Sequence, residues 1–369
     1  MKISLLFFFH LLACCVWGQN ALVQIDSVLQ KAYKDHALNG NVLIARGGRV
    51  LYAKSFGLSN SETKAPLTIQ SQFQIASVSK QFTAFGIMVL KRQGKLKYDD
   101  KVTQYLPELP YPDITLRQLM QHTAGLPDFW NEIRPNLDTT RSNGNMDVIR
   151  YLANNKLPLR FEPGEKWEYS DIGYDFLATV IERVSKKSYQ KFMKKHVFRP
   201  AGMKHTRACL ITDQRRIRAK KLATGYLQDS LLRWSKACER RNFVFYLGDF
   251  YGDGSVISTT SDLKKWDDAL RGFMTQDTIH FGEAYRPALR KDGSIIETQK
   301  EVSYGLGWGV RQDPFMGKIY SHNGGHPGFL THYFRYPDKD LVLIICRNVE
   351  PSVRFSPYLQ AVRGLLPSL

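Results

Sequence analysis

The chain has 369 residues, 43% hydrophobic and 12% aromatic, enough for a large buried core and a composition that argues against disorder or a coiled coil. Lys and Arg outnumber Asp and Glu by 52 to 34, a formal net charge of +18. The basic residues fall in scattered pairs, Arg215-Arg216, Lys220-Lys221 and Arg240-Arg241, with no basic helix or aromatic-basic motif. That pattern reads as a solvated basic surface suited to an anionic cell-envelope polymer, and not as a nucleic-acid site.

In chain order, Met1-Lys2 and an apolar run from Ile3 to Trp17 precede Gly18-Gln19. The run is shorter than the ~20 residues that span a bilayer, so residues 1–18 are expected to be a secretory signal and the protein to be exported, periplasmic or secreted. Leu11-Leu12-Ala13-Cys14 loosely resembles a bacterial lipidation box, which leaves a lipid anchor through Cys14 as the alternative. Beyond the signal stand Cys209, Cys238 and Cys346, an odd number at wide spacing. They fit neither a disulfide framework nor a zinc site, although one bridge among them stays open.

Leu22, Ile25, Val28, Leu29 and Ala32 recur at helical spacing and predict an amphipathic first helix. Asn41 to Arg46 and Arg49 to Lys54, joined by Gly47-Gly48, predict a β-hairpin. An apolar helix follows Ser77 and should stop near Gly94. From 98 to 250 helical patterns dominate: Thr115 to Met120, Met146 to Leu152, Ile172 to Val184 and Tyr189 to Phe198. Strand character returns at Ser255 to Ser258, Tyr304 to Val310, Ile319 to His322, Phe329 to Tyr336 and Leu341 to Arg347, before a closing helix from Val353 to Leu366. The expected architecture is therefore α/β, of the α+β kind. An antiparallel sheet flanked by helices is built from 19–97 and 251–369, with a mostly helical domain over 98–250 and the active site in the cleft between them.

Ser77-Val78-Ser79-Lys80 carries the chemistry. A hydroxyl and an amine three residues apart at a helix start share one face. A neighbouring base can activate such a serine, and backbone N–H groups at a helix start can steady the developing anion. The competing reading makes Ser77 an N-cap and Lys80 a solvated first-turn residue.

Two further clusters decide between these readings: Tyr169-Ser170-Asp171 just before a helix, and His322-Asn323-Gly324-Gly325 at a strand end. The ordered set resembles the serine β-lactamase and penicillin-recognising enzyme superfamily, in the branch of class C β-lactamases, D-alanyl-D-alanine peptidases and related esterases. Those proteins carry S-x-x-K, Y-x-N and K-T-G or H-x-G in this order.

The resemblance implies a cofactor-free and metal-free serine hydrolase that acts on a small-molecule or peptide substrate. Ser77 would be the acylated nucleophile. Lys80, with a depressed pKa, would be the base or its partner, and Tyr169 the other proton carrier. His322 would take the place of the K-T-G lysine, and the N–H groups of Ser77 and Gly325 would form the oxyanion hole. Asp171, Asn323 and Gly324 would line the substrate, and Asp253 would order a turn. Asp171 in place of asparagine and His322 in place of lysine favour an esterase, amidase or peptidase over an antibiotic-degrading enzyme. A class C-like β-lactamase or a non-hydrolytic penicillin-binding sensor of the same fold is the alternative, and the oligomeric state is left open.

Overall fold

A computed structural model describes residues 3–210, 221–239, 248–276 and 281–369, without the side chains of 3–18 and 274–276. The side chains of the expected signal and of Cys14 therefore lie outside the described residues. So do Arg215-Arg216, Lys220 and Arg240-Arg241. No described helix is long and apolar enough to cross a membrane.

The core is an eight-stranded sheet, antiparallel at every step. Two strands come from the N-terminal part, β1 (Gly40–Arg46) and β2 (Arg49–Phe56). Six come from the C-terminal part: β3 (Glu297–Gln299), β4 (Val302–Tyr304), β5 (Gly309–Asp313), β6 (Gly317–His326), β7 (Phe329–Tyr336) and β8 (Leu341–Arg347). Their spatial order is β3-β4-β5-β6-β7-β8-β1-β2. The β1–β8 pairing, Gly40 opposite Arg347 through Arg46 opposite Leu341, joins the two parts of the chain into one sheet.

The β1–β2 turn needs left-handed backbone at two successive residues, and glycine supplies both: Gly47 and Gly48 have φ of 56° and 77°. In β8 alternate residues serve different cores. Leu341, Leu343 and Ile345 pack toward helices α1 (Ile3–Lys34) and α8 (Ser356–Leu365), while Val342, Ile344 and Cys346 pack on the opposite face. Burial on both faces explains why the strand is continuously apolar. In α1 the buried face comprises Ala21, Ile25, Leu29 and Ala32, with Leu22 and Val28 only half-buried.

The opposite face carries α2 (Lys80–Arg92) and α7 (Thr260–Gln276). α2 is buried on nearly all sides, from Lys80 to Met88 and again at Leu90. It stops before Gly94, whose φ is 68°. Among the described residues, four α-helices intervene: α3 (Leu116–Met120), α4 (Asn145–Asn155), α5 (Asp171–Ser185) and α6 (Tyr189–Met193). Thr115 starts α3 with a reciprocal capping box to Gln118. α5 packs on α2 close to Gly86, where an added Cβ would meet Ile181 at 2.8 Å.

One predicted strand is two. Tyr304 to Val310 splits into the ends of β4 and β5, because Gly305 to Trp308 form a turn with Gly307 at φ 86°. That turn rests on the start of α2, with the Gly307 Cβ position 3.1 Å from the Lys80 carbonyl. The three described cysteines form no disulfide with one another, with Cys209 and Cys346 buried and Cys238 exposed.

Candidate active site

The Ser77 segment is held from three sides. Ala76 takes a left-handed φ of 47° while 1% exposed, a conformation that non-glycine residues keep only where packing enforces it. A tight turn over Ala76–Ser79 then runs into α2. The Ile75 N–H donates to the Val256 carbonyl at 3.0 Å, and the Val256 N–H donates to Ser79 Oγ at 3.0 Å. The third side is β6. A Cβ on Gly324 would lie 2.1 Å from the Ile75 carbonyl oxygen and 3.1 Å from the Ser77 nitrogen. Gly324 is therefore glycine because the strand presses on the chain's own turn.

Lys80 is fully buried and its ammonium has three acceptors: Ser77 Oγ at 3.2 Å, Asp171 Oδ1 at 2.7 Å and the Asp253 carbonyl at 3.1 Å. Three donated hydrogen bonds use all three protons of a charged amine. Burial alone would lower the Lys80 pKa, but the Asp171 carboxylate, followed by Tyr169 and Asp253, lifts it well above the ordinary lysine value. This corrects the expected depression: the helix start and partial burial are outweighed by an anion in direct contact.

Tyr169 is 39% exposed, yet its hydroxyl end faces Ser77 and Lys80. Burial of that end pushes the phenol up to about 12, with Lys80 pulling it back down and Asp171 opposing. The Lys80 ammonium lies 4.8 Å from the ring centroid. Because Ser77 Oγ accepts from Lys80, its own proton is free to point at the Tyr169 oxygen. The residue after Tyr169 fixes the approach to α5: Ser170 N–H donates to His122 Nδ1 at 3.1 Å, and Ser170 Oγ accepts from Gly173 N–H at 3.4 Å.

His322 sits near this group, with its ring centroid 6.3 Å from that of Tyr169. Both of its nitrogens are occupied, Nδ1 with the Asn323 carbonyl at 2.6 Å and Nε2 with the Tyr304 hydroxyl at 2.8 Å. Burial and the Lys80 charge push its pKa down to about 4, so it is neutral near pH 7. Asn323 points away from Ser77 and takes a hydrogen bond from His332 Nδ1 at 2.9 Å. Gly325 and Ser77 line one cavity. Asp171 is spent on Lys80, and the Asp253 main chain, besides shaping its turn, accepts from Lys80.

Asp175, Phe129, Trp130 and Phe250, to which the sequence motifs assign no role, line the same cavity as Ser77, together with His326. The signal for Asp175 was its place four residues after Asp171, on the same helix face. His122 was also unassigned. It is buried among Trp167, Tyr169, Tyr174 and Tyr304, with centroid distances of 4.4 to 6.0 Å. A larger cavity of about 580 Å³, lined among others by Tyr285, Arg286, Lys318 and Tyr320, includes none of the Ser77 group.

A serine, a lysine and a tyrosine gathered at the foot of a buried helix, against one strand of an antiparallel sheet, make the build of a serine hydrolase. The chain matches the Beta-lactamase family model over residues 25–365. It is 38% identical over 343 residues to Penicillin-binding protein 4* of Bacillus subtilis (strain 168), covering 91% of this chain and 74% of that one. It therefore belongs to the beta-lactamase family of serine hydrolases.

Among solved structures it resembles a penicillin binding protein from Bacillus halodurans, with TM-score 0.77 and 24% identity over 92% of this chain and 98% of that one. The D-amino acid amidase from Ochrobactrum anthropi SV3 gives TM-score 0.74 and 21% identity over 95% and 97%. At such identities the likeness is one of fold.

Proposed function

We propose that the protein is an exported hydrolase that cleaves an ester or amide through an acyl-enzyme on Ser77. The observation that carries this reading is the hydrogen-bonded line from the Asp171 carboxylate through the Lys80 ammonium to Ser77 Oγ, with the Tyr169 hydroxyl beside it. In this arrangement Tyr169, not Lys80, takes the serine proton. Lys80 stays charged and stabilises the phenolate that does so.

Ser77 Oγ attacks the carbonyl carbon as its proton passes to the Tyr169 oxygen. Tyr169 returns that proton to the leaving amine or alcohol as the carbonyl–leaving-group bond breaks. Water then attacks the acyl carbonyl as the Tyr169 phenolate takes its proton, and that proton passes to Ser77 Oγ as the ester bond to Ser77 breaks and the acid leaves. The main-chain N–H groups of Ser77 and Gly325 are suited to hold the oxyanion, and losing one such donor typically costs ~3 kcal/mol of barrier. Peptidase, amidase and esterase chemistry all fit this sequence of steps.

Two measurements test the reading. A fluorophosphonate or fluorescent penicillin probe should label the wild type and not Ser77→Ala, and equal labelling of both would overturn it. A chromogenic ester should then be turned over repeatedly; labelling without turnover would mean a penicillin-binding sensor instead.

A further inference from the structure

Beside Ser77 lies a cavity of about 80 Å³ whose lining includes three acidic residues, Asp171, Asp175 and Asp253. Phe129, Trp130 and Phe250 wall the same space. Lys80 is the cation nearest these acids, and its side chain is used up by Asp171, Ser77 and the Asp253 carbonyl. Burial first, then the repulsion of Asp253, raises Asp175 well above the ordinary range, and burial raises Asp253.

Two observations show what the cavity lacks. Asp175 is 2% exposed, yet its Oδ1 has no hydrogen-bond partner. A buried carboxyl oxygen left unpaired is costly, and a donor entering the cavity removes the cost. His326, the basic side chain that lines the cavity, is pushed down to about 4 by burial and is neutral, with Nδ1 engaged by Gln74 at 3.1 Å. No group of three or more His, Cys, Asp or Glu is arranged to hold a metal ion among the described residues.

We infer that this cavity receives the free α-ammonium group of the substrate's acyl part, so that the enzyme acts on amides and esters of unblocked amino acids and on the free N-terminus of short peptides. The inference rests on Ser77 as the nucleophile and names the substrate class for that same site. An ammonium here meets the unpaired Asp175 oxygen and the faces of aromatic rings, both of which attract a cation. The size sets a limit. A dry cavity of about 150 Å³ holds a benzene, so about 80 Å³ takes an ammonium head and not an N-acyl group or a preceding residue. A second lobe of about 140 Å³, bounded by Pro127, Glu168 and Tyr169, shares Phe129, Trp130 and Asp171 with the first and offers room for the amino-acid side chain.

The test compares alanine p-nitroanilides, D and L, with their N-acetyl forms. In the wild type, kcat/KM for one free-amine enantiomer should exceed that of its N-acetyl form at least about tenfold, the value of one charge-assisted hydrogen bond. In Asp175→Asn that ratio should fall toward one. Because it is taken on a single preparation, the folded fraction cancels. As a check on the wild type alone, ethylammonium chloride should compete with p-nitrophenyl acetate where sodium chloride at equal ionic strength does not.

Equal or better use of the N-acetyl substrate, an unchanged ratio in Asp175→Asn, or inhibition no stronger than by sodium chloride overturns the inference. Turnover of p-nitrophenyl acetate that is lost in Ser77→Ala keeps the Ser77 reading standing in that event. Absence of that turnover removes the Ser77 reading and the inference with it.

Discussion

At the residue scale, the Asp171 carboxylate acts on both proton-carrying groups: it lifts Lys80 against the effect of burial, and it adds to burial in raising Tyr169. With the phenol pushed up to about 12, the base is protonated at neutral pH. Its active form grows about tenfold per pH unit below that value. Acylation by a neutral ester should therefore climb steadily from pH 6 to 10 in a stopped-flow or initial-rate profile. A plateau above pH 7 would contradict this assignment of the base. His322, held near 4, should add no step between pH 5.5 and 8.

Replacing Asp171 by Asn removes an anion that adds to burial in holding the proton on Tyr169, and with Lys80 still charged the alkaline limb should move to lower pH; an unmoved limb would show that Asp171 does not set it. Tyr169→Phe should slow acylation by about 10²- to 10⁴-fold, the usual worth of a general base. A near-normal rate would mean that another group takes the serine proton.

At the element scale, the site depends on how closely β6 lies against the turn before α2. Gly324→Ala places a methyl group 2.1 Å from the Ile75 carbonyl, so strand and turn must separate. A shift of about 1 Å in such a site typically costs 10²-fold in rate. The variant should remain folded by circular dichroism and lose acylation by about that factor; retention of full activity would show that the contact is slack.

The hairpin at Gly47-Gly48, the buried α2 and the long strands β7 and β8 were legible because period, glycine placement and turn residues agreed. The turn from Gly305 to Trp308 was not. Its aromatic and aliphatic residues mimic a strand, and its glycine is explained by the left-handed backbone at Gly307 together with contact with the start of α2. The motif order likewise brought Ser77, Lys80, Tyr169 and His322 to notice. It did not reveal that Asp171 keeps Lys80 charged, since a salt bridge across 91 positions leaves no local trace.

At the scale of the whole molecule, the sheet separates two cores. One, beneath α1 and α8, contains Leu343 and Ile345; the other contains α2 and runs up to the site. Leu343 is fully buried in the first core. Leu343→Ala should destabilise the protein by about 2–5 kcal/mol, as large cavities do, lowering the thermal midpoint while kcat/KM measured well below it stays near the wild-type value. A parallel loss of kcat/KM would show that the two cores are not independent. Asp175 and the aromatic wall escaped the sequence reading for a reason of the same scale. They come from segments around 130, 175 and 250, and their meeting is a property of the packed fold.

The measurement that bears most directly on Ser77 as the acylated nucleophile is mass spectrometry of the protein quenched during turnover of a slow ester or after reaction with a penicillin probe. The account predicts one acyl adduct, mapped to the peptide containing Ser77, present in the wild type and absent from Ser77→Ala. An adduct on another residue, or an equal adduct on Ser77→Ala, would contradict it.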